Sequence, residues 1–203
     1  MHGSYTMNSW LFPPHTRQAQ LDELWSFVGK KEAHCDGADP ADLLQGDNWD
    51  HVAFDPESRL VLAVVPGKRT WENAVRLLKQ VKARMRDRLP DLLTSDEYPV
   101  YATAILEVYG TKVRPPRTGK PGRPKKAVTV APSGLNYATV HKTRKQGRVV
   151  KVERKIVFGS ADSVAAAVAR STAGRTINTS FLERHNGSER HRNSRKIRKT
   201  CGF

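Results

Sequence analysis

An α/β fold is predicted for this 203-residue chain by three observations. These are a two-residue apolar alternation near the start, a three-to-four-residue apolar repeat after it, and the resulting order of strand, hairpin, helix, strand, helix. A basic linker and a second β-hairpin interrupt this layout before two more helices.

The first 18 residues are polar, contain Pro13-Pro14 and have no period, which predicts an irregular lead-in. QLDELWSFVGKK (20–31) alternates, so a strand is expected with Asp22, Leu24, Ser26 and Val28 on one face and Leu21, Glu23, Trp25 and Phe27 on the other. Residues 32–48 are acidic and turn-rich, a loop longer than a hairpin needs. WDHVAFDPESRLVLAVVPGKR holds two apolar runs around Asp55-Pro56-Glu57-Ser58, the pattern of a hairpin. Thr70 suits the cap of a helix whose apolar positions Ala74, Leu77, Leu78, Val81 and Met85 recur at three and four, ending before Pro90. A short strand ending at Asp96 and a helix from about Pro99 to Gly110 complete the first part of the domain, residues 19–110.

Residues 111–133 turn to Pro, Gly, Lys and Arg with nothing to bury, a flexible basic linker. Within 134–203, LNYATVHKTRKQGRVVKVERKIVFG predicts a basic hairpin around Lys145-Gln146-Gly147. Ser160 or Asp162 opens a short Ala-rich helix, and SFLERHNGSERHRNSRKIRK predicts a second, with Glu183 in its first turns.

The chain is long enough for one substantial core, and 38% hydrophobic with 7% aromatic residues fits a folded core bearing solvated appendages. Its formal charge of +15 points to a polyanionic partner. That charge is uneven: residues 1–111 carry 12 Lys+Arg against 16 Asp+Glu, whereas residues 112–203 carry 23 against 4. Cys35 and Cys201 have no neighbour at metal-ligand or redox spacing, which argues against a disulfide framework or a zinc ribbon and for a reducing cytoplasm. The N-terminal sequence lacks a signal-peptide pattern, and no apolar run nears the ~18 residues of a membrane span. A soluble protein is expected.

Phosphodiester transfer by paired divalent ions requires carboxylates converging from different elements, because hard cations take oxygen ligands. Spacing alone does not choose such a set from 20 acidic residues. The stretches QLDELWSFVGKK, LLTSDEYPVY and TINTSFLERHNGSERHRNSRKIRKT resemble transposases of the insertion-sequence-one family, and VHKTRKQGRVVKVERKIVFG is similar to it too. The similarity spans most of residues 19–200, and its last motif is the most specific. In that family the Asp of LDELWSFV, the Asp of TSD and the Glu of NTSFLERHN form the catalytic triad, which corresponds to Asp22, Asp96 and Glu183.

The resemblance implies an RNase H-like mixed sheet flanked by helices, with the triad holding Mg2+ or Mn2+ as two ions. It also implies DNA cleavage at the terminal inverted repeats of an insertion sequence and attack of the freed 3′-hydroxyl on target DNA. A homo-oligomer assembled on double-stranded DNA, in the cytoplasm and associated with the nucleoid, is the expected setting. The sequence departs from the family in lacking its N-terminal zinc-binding and helix-turn-helix region and in ending at Phe203. A truncated, inactive remnant that still binds DNA is therefore the alternative expectation.

Each acid also has a plainer reading. Asp22 and Glu23 suit water-facing edge-strand charges, Asp96 a helix cap, and Glu183 a surface acid paired with Arg190. Asn186 falls on the same helical face as Glu183 and is expected to orient a ligand or touch the scissile phosphate. Arg184, Arg190, Arg192, Arg195 and Lys196 are candidate phosphate contacts. Lys120-Pro121-Gly122-Arg123-Pro124-Lys125-Lys126 resembles an AT-hook, with Lys120, Arg123, Lys125 and Lys126 as its DNA contacts. The competing role for this segment is nonspecific phosphate binding. His185 and His191 are not expected to bind metal, since magnesium prefers oxygen.

Overall fold

The two-residue period near the N-terminus resolves as β1 (Gln18–Val28) in a computed structural model that describes residues 16–115, 125–193 and 196. β2 (Gly46–Asp55) and β3 (Leu60–Gly67) form the expected hairpin. The intervening loop contains two single 3-10 turns, Glu32–His34 and Pro40–Asp42. α1 (Trp71–Arg84) is capped by Thr70, whose side chain accepts from the Asn73 N–H, and all five of its predicted apolar positions, with Met85 just beyond its end, are buried. β4 (Leu92–Ser95) stops one residue short of Asp96, and α2 (Val100–Tyr109) follows.

The second half adds β7 (Tyr137–Lys145) and β8 (Arg148–Phe158), then α3 (Ala161–Arg170) and α4 (Ser180–Arg192). Ser160 is the α3 cap, in a reciprocal capping box with Ser163. Two three-residue strands, β5 (Thr111–Val113) and β6 (Val128–Val130), pair antiparallel at the two ends of the basic segment expected to be structureless. Among the described residues no helix is long and apolar enough to cross a membrane.

One six-stranded sheet has the order β3-β2-β1-β4-β7-β8. β1, β4 and β7 are mutually parallel, while the two outer hairpins run antiparallel to them. β1 starts two residues before the alternating stretch because Gln18 and Ala19 already pair with Leu92 and Leu93 of β4. The odd residues Ala19 and Leu21 face α1 and α2 and join a core that includes Leu77, Leu78, Val81, Tyr101 and Ile105. Each of the fully buried Leu, Ile and Val side chains among them contributes roughly 2 kcal/mol. The opposite face is covered by α3, packed on Leu92 and Ala138, and by α4, whose Leu182 packs on Val52 and Phe54.

The strand lengths create an opening in the sheet. β4 has 4 residues, but its neighbours β1 and β7 have 11 and 9. β1 beyond Leu21 and β7 beyond Thr139 therefore continue without β4 between them. A notch opens at the carboxyl end of β4, the kind of position where α/β sheets receive ligands.

Candidate active site

The notch is a cleft of about 730 Å³ lined by Asp22 and Glu23 of β1, Asp96 to Pro99 after β4, Val140 to Lys142 and Arg144 of β7, and Glu183, Asn186 and Arg190 of α4, with Arg69 and Thr179. The sequence-selected acids Asp22, Asp96 and Glu183 thus reach one wall-to-wall site from three separate elements.

Asp22 and Asp96 meet because β1 and β4 are parallel and in register at Leu21↔Ser95, so the next residue of each chain stands at the notch floor. α4 is docked against β1 by two side chains on the same strand face. Gln20 accepts from the Leu182 N–H at 2.9 Å and donates to the Asn178 carbonyl at 2.8 Å. Two residues further along, Asp22 Oδ2 accepts from Asn186 Nδ2 at 2.8 Å. Thr94, the β4 residue paired with Gln20, also donates to Asn178 O, at 3.3 Å. The strand period of two and the helix spacing of four coincide here, which fixes the helix over the cleft.

Asp22 is pushed up to about 6 by burial and by repulsion from Asp96, against the Glu23 N–H and Asn186 amide that favour its charged form. Asp96 is raised as well, first by burial, with Arg69 opposing. Its Oδ1 is buried without a hydrogen-bond partner. Asp96 is not the cap of α2: the N-cap position is Pro99, and no side chain caps the helix. Glu183 stands apart from the pair: its carboxylate accepts from Lys142 and from Thr179. Burial pushes Glu183 up, but those two donors outweigh it and hold the carboxyl below its usual range.

A fourth acid was not singled out from sequence. Oxygens of Asp22, Glu23 and Asp96 all lie within 4.8 Å of one another, a grouping able to hold a divalent cation. Glu23 points to the opposite face of β1 from Asp22, yet both reach the notch because no β4 backbone separates the faces there. Its side chain is 2% exposed and paired with Arg69 at 2.9 Å. Burial pushes it up to about 7, with Asp96 adding to the rise and Arg69 opposing it. The fully buried Tyr101 hydroxyl lies beside it, although neither Tyr101 Oη nor Glu23 Oε1 closes a hydrogen bond in the geometry found. Arg69 is itself pinned: its guanidinium lies 4.0 Å over the Tyr98 ring, and its carbonyl accepts from the Tyr98 hydroxyl at 3.3 Å.

The expected DNA contacts fall in different places. Lys120 and Arg123 of the AT-hook-like segment, and Arg195, lie outside the described residues. Lys125 and Lys126 are exposed. Arg184 is exposed on α4, while Arg190 lines the cleft. Asn186 is 3% exposed and commits its amide nitrogen to Asp22, leaving Oδ1 buried without a partner. Lys142 and Arg144, which line the cleft from β7, were hidden in the sequence among the charges of a basic hairpin. Neither a protein-family model nor a curated protein matches the chain.

Proposed function

We propose that this chain is a transposase-like DNA strand transferase that uses Asp22, Asp96 and Glu183 with Mg2+ or Mn2+ to cleave DNA ends and join them to target DNA. The observation that carries the proposal is the convergence of three acids, distant in sequence, on the notch where β4 ends. Parallel β1 and β4 with α4 laid across them is also the layout that an RNase H-like sheet needs for such a triad.

The oxygen-rich donor set fits a hard divalent cation, and the buried Asp96 Oδ1 is an acceptor with no donor among the described residues. Such ions, when bound, stabilise charge on the attacking and leaving oxygens of a phosphodiester. The protein's own contribution is orientation. Asn186 and the Glu23 N–H fix the two oxygens of Asp22, and Thr179 fixes Glu183. Lys142, Arg144 and Arg190 supply positive charge along the walls for phosphates. Lys142 must release Glu183 for that carboxylate to join the other two.

This last point favours a second reading, a DNA-binding chain without activity, because Glu183 is ion-paired to Lys142 instead of grouped with the aspartates. Mn2+ titration and metal-dependent nicking of duplex DNA separate the two readings. The strand-transferase reading expects Mn2+ binding and nicking that both disappear in Asp22→Asn and Asp96→Asn, with activity losses of at least about 10³-fold. Nicking that survives Asp22→Asn would reject the triad, and absence of Mn2+ binding would favour the inactive reading.

A further inference from the structure

Among the described residues β8 is the one strand paired with β7 past Thr139, and the two stay paired out to Lys145↔Arg148. The result is a free two-stranded ribbon that leaves the sheet at the rim of the acidic notch. Residues 148–155 of β8 are exposed; at the ribbon's base Lys142 meets Glu183 and Arg154 donates to the Ile177 carbonyl at 2.7 Å, and from Arg144↔Val149 to the Lys145↔Arg148 tip the strands stand in water. An isolated ribbon of this kind is marginal in water, because it buries no apolar face.

Its composition is not that of a merely solvated edge. Between His141 and Lys155 seven Lys or Arg accompany one acid, Glu153, which is already tied to Lys151 at 2.8 Å. Lys145 and Arg148 face each other directly across the strands, a like-charge pair that costs stability until a counter-charge arrives. Interleaved with these charges are three exposed valines, Val149, Val150 and Val152. Cations alternating with small apolar side chains match a surface that offers phosphates, guanine acceptors and thymine methyl groups together.

We propose that the β7–β8 ribbon enters the major groove of B-form DNA next to the segment held in the cleft. The groove, about 12 Å wide, admits a two-stranded ribbon, whereas the deep, narrow major groove of A-form RNA does not. Lys142 and Arg144 at the ribbon's base line the cleft, so a duplex gripped by the ribbon runs on toward the acids. This deepens the strand-transferase reading and rests on it for the identity of the polymer, but its test needs no cleavage.

Full-length protein is titrated onto a fluorescent 30-bp DNA duplex without divalent metal, over a range of salt concentrations. The ribbon variant Lys145→Ser/Arg148→Ser/Lys151→Ser is compared with Arg76→Ser/Lys79→Ser/Lys112→Ser, which removes the same charge elsewhere. The ribbon variant is expected to lose at least about 30-fold in affinity, and its salt slope should shrink by about 2–3. The control should change less than about threefold. Wild type is expected to protect guanine N7 from methylation in the bound segment, and Val150→Cys should cross-link to a thiol tethered to a major-groove base. Equal losses in the two triple variants, equal ribbon-dependent binding to an RNA duplex, or absence of the cross-link would overturn the proposal. If ribbon-dependent binding holds while no metal-dependent nicking is found, the strand-transferase reading fails alone. If nicking depends on the three acids but the ribbon variant binds as wild type, the ribbon proposal fails alone.

Discussion

Two glutamates flank the same pair of aspartates, and they are built for different tasks. Glu23 is nearer, with an oxygen within 4.8 Å of both Asp22 and Asp96, but it is sealed in and paired with Arg69. Glu183 reaches in from the helix wall, its side chain 37% exposed, and its carboxyl is held below the usual range by donors it can exchange. A metal ligand must be ionised and free to change partners. Closeness alone favours Glu23, whereas ionisation and access favour Glu183. Within the proposed triad, access and exchangeable donors make Glu183 the better candidate for the third ligand, whereas Glu23 holds Arg69 beside the cleft.

The largest expected effect tests that division directly. Glu183→Gln should lower metal-dependent DNA nicking by about 10²–10³-fold, while Glu23→Gln should stay within about tenfold of wild type, as read by steady-state nicking rates. The opposite ranking would exchange the two roles. Next in size, Arg69→Met leaves Glu23 buried without its cation and should cost about 2–3 kcal/mol in urea unfolding. Adding Glu23→Gln to that variant should restore most of the loss.

A third expectation concerns pH. Asp22 and Glu23 are raised to about 6 and about 7 from ordinary values of 3.8 and 4.5, chiefly by burial. A raised carboxyl binds its proton more tightly in the folded state, so its contribution is fullest below the ordinary value and is lost as pH rises through 6 to 7. Metal-free protein should therefore lose on the order of 2 kcal/mol between pH 5 and 8, and Asp22→Asn should flatten that slope in thermal or urea unfolding. An Asp22→Asn slope equal to that of wild type would contradict the burial of Asp22, whereas the lowered His51 contributes with the opposite sign to both. Smallest of all, Lys142→Met frees Glu183 from a partly exposed pair and should tighten Mn2+ binding a few-fold, worth under about 1 kcal/mol by calorimetry.

Much of this architecture was legible in the sequence where a period or a cap carries the signal. The face assignment of Asp22 and Leu21 follows from strict alternation, and the five apolar positions of α1 follow from their spacing behind Thr70. Glu23 was not legible, because alternation assigns it to the face away from Asp22 and cannot reveal that β4 ends beside them. Lys142 was obscured for a similar reason: in a hairpin full of cations, only the approach of α4 distinguishes the one that meets Glu183. β5 and β6 are three residues each, too short for a period to emerge from Thr-Lys-Val and Val-Thr-Val. The grouping of the acids themselves depended on family resemblance, since three carboxylates far apart in the chain share no local pattern.

The early end of β4 also has a consequence for the main chain. Beyond Leu21 and Thr139, one side of β1 and one side of β7 have no partner strand among the described residues, so peptide N–H and C=O groups border the notch from both flanks. These donors and acceptors belong to every amino acid alike, so substitution along the walls changes the side chains without removing them. The depth of the cleft is inherited from the length of a single strand. Lengthening β4 by one pair of residues would raise the floor by roughly 7 Å and close the opening from beneath.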